Sequence, residues 1–293
     1  MTIPTASKWI VAIRLAALSV VFAGLLSACG GSSSSHTSTS GSRSASTPSV
    51  VKASSSTHTK RPHTPTHTSC RSVVYIGDST SDGEASPEYV PNAKLREPAQ
   101  LSKVGVKTTH MQVSGARSIH EIFENIPNAA MVARRDVAGG FHGCWILALG
   151  TNEAANVAAG STFGLRARIN TMMSIIGHQP VMWINAITLP GTPAFYGEAG
   201  MRRWDEDLLA ACPKYPTMRV FDWAAHAKPS WFIPDHIHYT SQGYIQRTRA
   251  IAHALVKAFP SGEPQSTGMS AIARSFVQAF PRNQPPGANC LVH

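Results

Sequence analysis

The chain has 293 residues, a formal net charge of +10, 43% hydrophobic residues and 20 prolines. That length holds one large domain or two small ones, and the composition excludes a membrane-embedded bundle. The excess of Lys and Arg points to loose attraction toward anionic lipid or wall polymer, and nucleic acid is not an expected partner.

The first 28 residues read as an export signal. Lys8 and Arg14 flank an apolar run in which the fourteen residues Leu15–Ala28 carry no charge, too few to span a bilayer comfortably. The run ends in Leu26-Ser27-Ala28-Cys29, which resembles a bacterial lipobox. The resemblance implies acylation of Cys29 and a membrane anchor outside the cytoplasmic membrane, which two or more acyl chains would hold stably. Cleavage near Ala28 with free secretion is the alternative. Residues 29–69 are rich in Ser, Thr and His and contain no acid; they read as a disordered tether. The irregular spacing of His36, His58, His63 and His67 reads as solvated filler rather than a metal site.

Beyond Cys29 four cysteines remain, Cys70, Cys144, Cys212 and Cys290, an even number that implies two disulfides in an exported chain. None forms a C-x-x-C pair, so zinc or thioredoxin-like chemistry is not expected, and neither a metal nor a cofactor is assigned.

From Cys70 to Pro260 short apolar runs alternate with helical patterns. Strands are predicted at Ser72–Gly77, Val106–Val113, Cys144–Gly150, Val181–Ala186 and Met218–Trp223; helices at Ile119–Arg135, Phe163–Ile176, Ala199–Ala211 and Ser241–Phe259. The alternation predicts a parallel sheet between helical layers, with ligands at the C-terminal edge of the strands. Cys70 and Cys144 then fall at the opposite edge, as do Cys212, ending a helix, and Cys290 in the tail; the expected pairs are Cys70–Cys144 and Cys212–Cys290. Residues 261–293 read as a further helix and tail packed on this domain: Ala250–Pro260, AIAHALVKAFP, is echoed by Ala271–Pro281, AIARSFVQAFP.

The chemistry begins where the first strand runs into GDSTSDG, Gly77–Gly83. A serine just past a strand end is placed for nucleophilic attack, and this one lacks the second glycine of the G-x-S-x-G elbow. Near the end of the chain, IPDHIHYTSQGY sets Asp235 before His236 and His238. A carboxylate three positions before a histidine reaches Nδ1 across a short turn and leaves Nε2 free for a serine. His236, adjacent to Asp235, reads as pocket wall or plain surface.

Gly77-Asp78-Ser79, the glycine of VSGARS, GTNE after a later strand, and Asp235-x-x-His238 together resemble the SGNH (GDSL-like) hydrolases, in order from about Val73 to Ala258. The resemblance implies a three-layer α/β/α sandwich with a mostly parallel, flavodoxin-like sheet of five strands. It implies Ser79 as nucleophile, His238 as base and Asp235 as its partner. The oxyanion donors would be the Ser79 and Gly115 backbone N–H groups and the Asn152 amide. The chain departs from the family pattern in Thr80, which follows Ser79 where leucine is name-giving, and in Glu153, where aspartate is common; both put the substrate in doubt. Asp78 reads as structural, and Asp82 as a turn residue or a partner of the triad. Arg117 reads as a contact for an anionic substrate or a solvated side chain. Phe195 and Tyr196, in the loop Thr188–Gly200, read as acyl or sugar contacts.

The implied activity is a monomeric serine esterase. It would remove short acyl groups, acetyl above all, from envelope glycans, lipids or small esters. An O-acyltransferase using the same triad and a catalytically inactive wall-binding module are the alternatives.

Overall fold

A computed structural model describes residues 65–262 and 290–293. The export signal, Cys29, the tether as far as Thr64 and the second of the echoing C-terminal helices lie outside the described residues.

Six strands form one sheet: β1 (Ser72–Gly77), β2 (Thr108–Val113), β3 (Cys144–Ala148), β4 (Val181–Ile184), β5 (Met218–Phe221) and β6 (Leu291–Val292). Their order is β2-β1-β3-β4-β5-β6, and every pairing is parallel. Eight α-helices are described: α1 (Asp82–Ala85), α2 (Glu97–Lys103), α3 (Ala129–Ala138), α4 (Thr151–Ala158), α5 (Leu165–Ile176), α6 (Glu198–Ala211), α7 (Trp223–His226) and α8 (Ser241–Ala258).

β3 and β4 are buried throughout and β1 beyond Ser72, and they read as apolar runs because both sheet faces are covered there, whereas β2, TTHMQV, lies at the sheet edge and is partly exposed. Side chains alternate between faces along a strand, so neighbours enter different cores. Val74, Ile76, Trp145, Leu147 and Trp183 meet α3, α5 and α6 through Ala133, Ile169, Met172, Trp204 and Leu208. Val73, Tyr75, Ile146, Met182 and Phe221 meet α2 and α8 through Leu101, Tyr244, Ile251 and Leu255. The sandwich therefore has two cores, one on each side of a shared sheet.

Three expectations need correction. The sheet has six strands rather than five, because Leu291–Val292 pairs with β5; two residues are too short a run for periodicity to register. The helix predicted from Ile119 begins only at Ala129. Glu124 and Asn125 adopt φ of 46° and 63°, incompatible with a right-handed helix, and Asn128 caps the late start by accepting from Met131 N. The tether's last residues are also part of the folded unit: Thr68 is buried, forms a bridge with Pro260, and its hydroxyl donates to Phe259 O at 2.8 Å.

Disulfides join Cys70 to Cys144 and Cys212 to Cys290, with Cα–Cα separations of 5.6 and 6.1 Å. The first ties the start of β1 to the start of its neighbour β3. The second ties the end of α6 to the segment that enters β6.

Candidate active site

Strand order reverses around β1, which has β2 on one side and β3 on the other. In open parallel sheets the crevice at such a point receives ligands. The segments leaving β1, β2 and β3 are those that carry Ser79, Gly115 and Asn152.

The β1 turn is tightly built. A Cβ on Gly77 would lie 2.8 Å from Ser81 Cβ, so only glycine lets the chain fold back here. Asp78 Oδ1 accepts from Thr80 N at 2.8 Å and from Thr80 Oγ1 at 2.7 Å, capping a 3-10 turn over Ser79–Ser81. Helix α8 supports that turn from below. The buried Arg247 donates to Thr80 O and to Ser81 Oγ, each at 3.2 Å, and pairs with Glu84. Tyr75 donates to the other Glu84 oxygen.

The histidine arrives on a short loop closed by the antiparallel bridge Phe232–Tyr239 and the bond from Ile233 N to His238 O at 2.9 Å. Asp235 Oδ1 accepts from the Ile237 and His238 backbone N–H groups, both at 2.9 Å. Its Oδ2 lies 2.6 Å from His238 Nδ1, and His238 Nε2 lies 2.8 Å from Ser79 Oγ. With Nδ1 protonated and donating to Asp235, Nε2 accepts from the serine hydroxyl. Residues 159 positions apart are thus joined in one line of hydrogen bonds.

Electrostatics follow the line. Burial alone would raise the Asp235 carboxyl, but the hydrogen bonds from His238 and Ile237 hold it below its ordinary value. Burial alone would lower the His238 imidazole. The bonded Asp235 carboxylate, aided by Asp78 and Asp82, carries it above the ordinary value instead. Asp82 is half-buried, and burial together with the Asp78 charge pushes it up to about 6.

Among the expected oxyanion donors, Asn152 gives one N–H to Arg117 O at 3.0 Å and keeps the other. Neither the Ser79 nor the Gly115 backbone N–H is bonded to another group among the described residues. Ser114 N donates to Gly77 O at 3.3 Å, which seats the loop carrying Gly115 beside the Ser79 turn. A Cβ on Gly115 would meet nothing within 4 Å, so the space beside that amide is open.

The other expected contacts fall differently. Arg117 is buried, with its guanidinium donating to the carbonyls of Gln112 and Pro127. It is a loop-building residue rather than a solvated anion contact. His236 adopts φ 63°, which turns its side chain away from the triad line, and its Nδ1 lies 2.6 Å from Pro190 O. It fastens the Thr188–Gly200 loop instead of forming plain surface. In that loop Phe195 is half exposed, and Tyr196 lies near enough to Asp78 for burial and then that charge to raise its phenol.

The buried pair Glu84–Arg247 beneath the Ser79 turn, with the buried Glu97 near Glu84, is not among the sequence expectations. A signal existed: Tyr244, Arg247, Ile251 and Leu255 share one buried helical face, and an arginine inside such a stripe needs a buried acid.

No protein-family model and no curated protein matches the sequence. Solved structures do. A carbohydrate acetylesterase family member from Sinorhizobium meliloti aligns at a TM-score of 0.52 and 15% identity, covering 64% of this chain and 98% of its own. The carbohydrate acetylesterase Est24 from Sinorhizobium meliloti aligns at 0.50 and 17% identity, covering 64% and 100%. A candidate arylesterase from Agrobacterium tumefaciens aligns at 0.52 and 16% identity, covering 64% and 100%. The chain has the α/β/α fold of the SGNH hydrolases. Within that fold, the Ser79 turn, the Gly115 loop and the first turn of α4 stand together at the strand ends, with His238 brought to them from the far end of the sequence.

Proposed function

We propose that the protein is an exported serine esterase that removes short acyl groups, acetyl above all, from glycans or lipids of the cell envelope. The hydrogen-bonded line from Asp235 through His238 to Ser79 carries this reading. His238 Nε2 takes the Ser79 proton as Oγ attacks the ester carbonyl carbon. The carbonyl oxygen becomes an oxyanion, received by the Ser79 and Gly115 N–H groups and the Asn152 amide. Collapse breaks the bond to the leaving alkoxide, and His238 returns the proton to it. The acyl group now sits on Oγ; water attacks in the same way, releases the carboxylic acid and restores the serine. Asp235 keeps the imidazole in the required tautomer and stabilises the imidazolium that forms twice per cycle.

Likeness to carbohydrate acetylesterases supports acetylated sugar as the substrate class. Two disulfides support an extracytoplasmic location. Acylated Cys29 would be the anchor, a point checked by intact mass of the mature protein.

The deciding experiment is active-site labelling. A fluorophosphonate probe should form one adduct that maps to Ser79, and Ser79→Ala should abolish both labelling and hydrolysis of p-nitrophenyl acetate. Turnover that survives Ser79→Ala removes the reading.

A further inference from the structure

Glu153 stands next to Asn152 in the first turn of α4 and is fully buried. Its Oε1 accepts the Ile119 backbone N–H at 2.6 Å, while Asn152 donates to Arg117 O at 3.0 Å. Two adjacent side chains of one helical turn therefore grip the loop that carries Gly115, Asn152 at Arg117 and Glu153 two residues further on.

The second Glu153 oxygen, Oε2, has no hydrogen-bond partner among the described residues. The same is true of Oδ2 of Asp78, which is buried beside Ser79. A buried carboxylate with a single donor is poorly solvated, and a second negative charge near Asp78 makes ionisation less favourable still. The charged groups acting on Glu153 come from two neighbouring segments, Asp78 in the β1 turn and Arg168 on α5. Burial, then Asp78, raise the carboxyl to about 7, against the opposing pull of the Ile119 N–H and Arg168.

We propose that Glu153 is a positioning residue of the oxyanion hole. It clamps the Gly115 loop onto the helix turn that presents Asn152, so that the two donors keep a fixed relation. Its ionisation strengthens the bond from Ile119 N but adds negative charge behind those donors, which opposes the oxyanion they receive. The consequence for rate rests on the esterase reading; the clamp itself does not.

The test uses the full chain and two variants. Glu153→Gln keeps a neutral side chain with an oxygen acceptor for Ile119 N, whereas Glu153→Ala removes the acceptor. Hydrogen exchange at the Ile119 amide, measured relative to the amides of β3, should quicken at least ~10-fold in Glu153→Ala and stay near wild type in Glu153→Gln. With p-nitrophenyl acetate, Glu153→Ala should lose on the order of 10²-fold in kcat with KM little changed, as expected for misplaced donors, and Glu153→Gln should rescue most of it. Wild-type kcat should fall about 10-fold between pH ~7 and ~9, and Glu153→Gln should flatten that decline. A solely structural role would shift thermal stability without altering the pH profile. Unchanged Ile119 exchange in Glu153→Ala, or an alkaline decline that persists in Glu153→Gln, overturns the inference. If turnover is independent of Ser79, the esterase reading fails, and the exchange measurement alone then decides the clamp.

Discussion

Asp235 is engaged before any substrate arrives: two backbone amides hold Oδ1, and the imidazole of His238 holds Oδ2. Replacing it with asparagine keeps the shape but loses both the preference for the Nδ1–H tautomer and the charge that favours imidazolium. Asp235→Asn should lower kcat by on the order of 10³–10⁴, read as turnover of p-nitrophenyl acetate. The sign of the pH effect follows from His238. On the esterase reading turnover needs a neutral Nε2, and the imidazole is raised above its ordinary value, so activity should be lost as pH falls through that raised value. In Asp235→Asn the acid limb should move to lower pH, because the neighbouring carboxylate that favoured the charged ring is gone. The two histidines separate in the same assay. His238→Ala should abolish turnover, whereas His236→Ala should act mildly, through a looser Thr188–Gly200 loop, because its ring meets Pro190 O and not Ser79.

Helix α8 forms one wall of the second core and also supports the Ser79 turn through Arg247. Removing one partner of a buried ion pair strands the other, so Arg247→Met should destabilise the fold by about 3–5 kcal/mol, measured by denaturant unfolding. The double variant Glu84→Gln/Arg247→Met should recover part of that loss, since no stranded charge remains. Gly83 reports on the same contact: a Cβ there would lie 2.2 Å from the Tyr244 ring, and Gly83→Ala should cost about 1–3 kcal/mol in the same measurement. At this scale the sequence was legible wherever apolar periodicity was strong. β1 begins and ends where its run does, and α5, α6 and α8 lie within a few residues of their patterns. It failed at Ile119–Asn128, where left-handed residues and a cap interrupt a helical-looking pattern, and at β6, which depends on a strand contributed by distant chain. The short motifs marked Ser79, Asp235 and His238, which the fold brings into hydrogen-bonding line. They did not reveal that Arg117 is spent on backbone carbonyls, because exposure is set by tertiary packing.

For the whole molecule, the two disulfides close chain segments of 74 and 78 residues, each of which would stabilise by about 4 kcal/mol on a loop-entropy basis. Reduction under native conditions should therefore lower the thermal midpoint, and Cys70→Ser/Cys144→Ser and Cys212→Ser/Cys290→Ser should share the loss. The second pair has a further consequence. Val220 N donates to Cys290 O and Asp222 N to Val292 O, so the last few residues occupy the outer hydrogen-bonding side of β5. A variant ending before Cys290 and carrying Cys212→Ser would leave those two amides unpaired beside the apolar Met218, Val220 and Phe221, an open template for another copy. Such a variant should accumulate as oligomers in sedimentation while the intact one stays monomeric. In the intact chain Leu291–Val292 cover that edge, on the far side of the sheet order from β1 and Ser79.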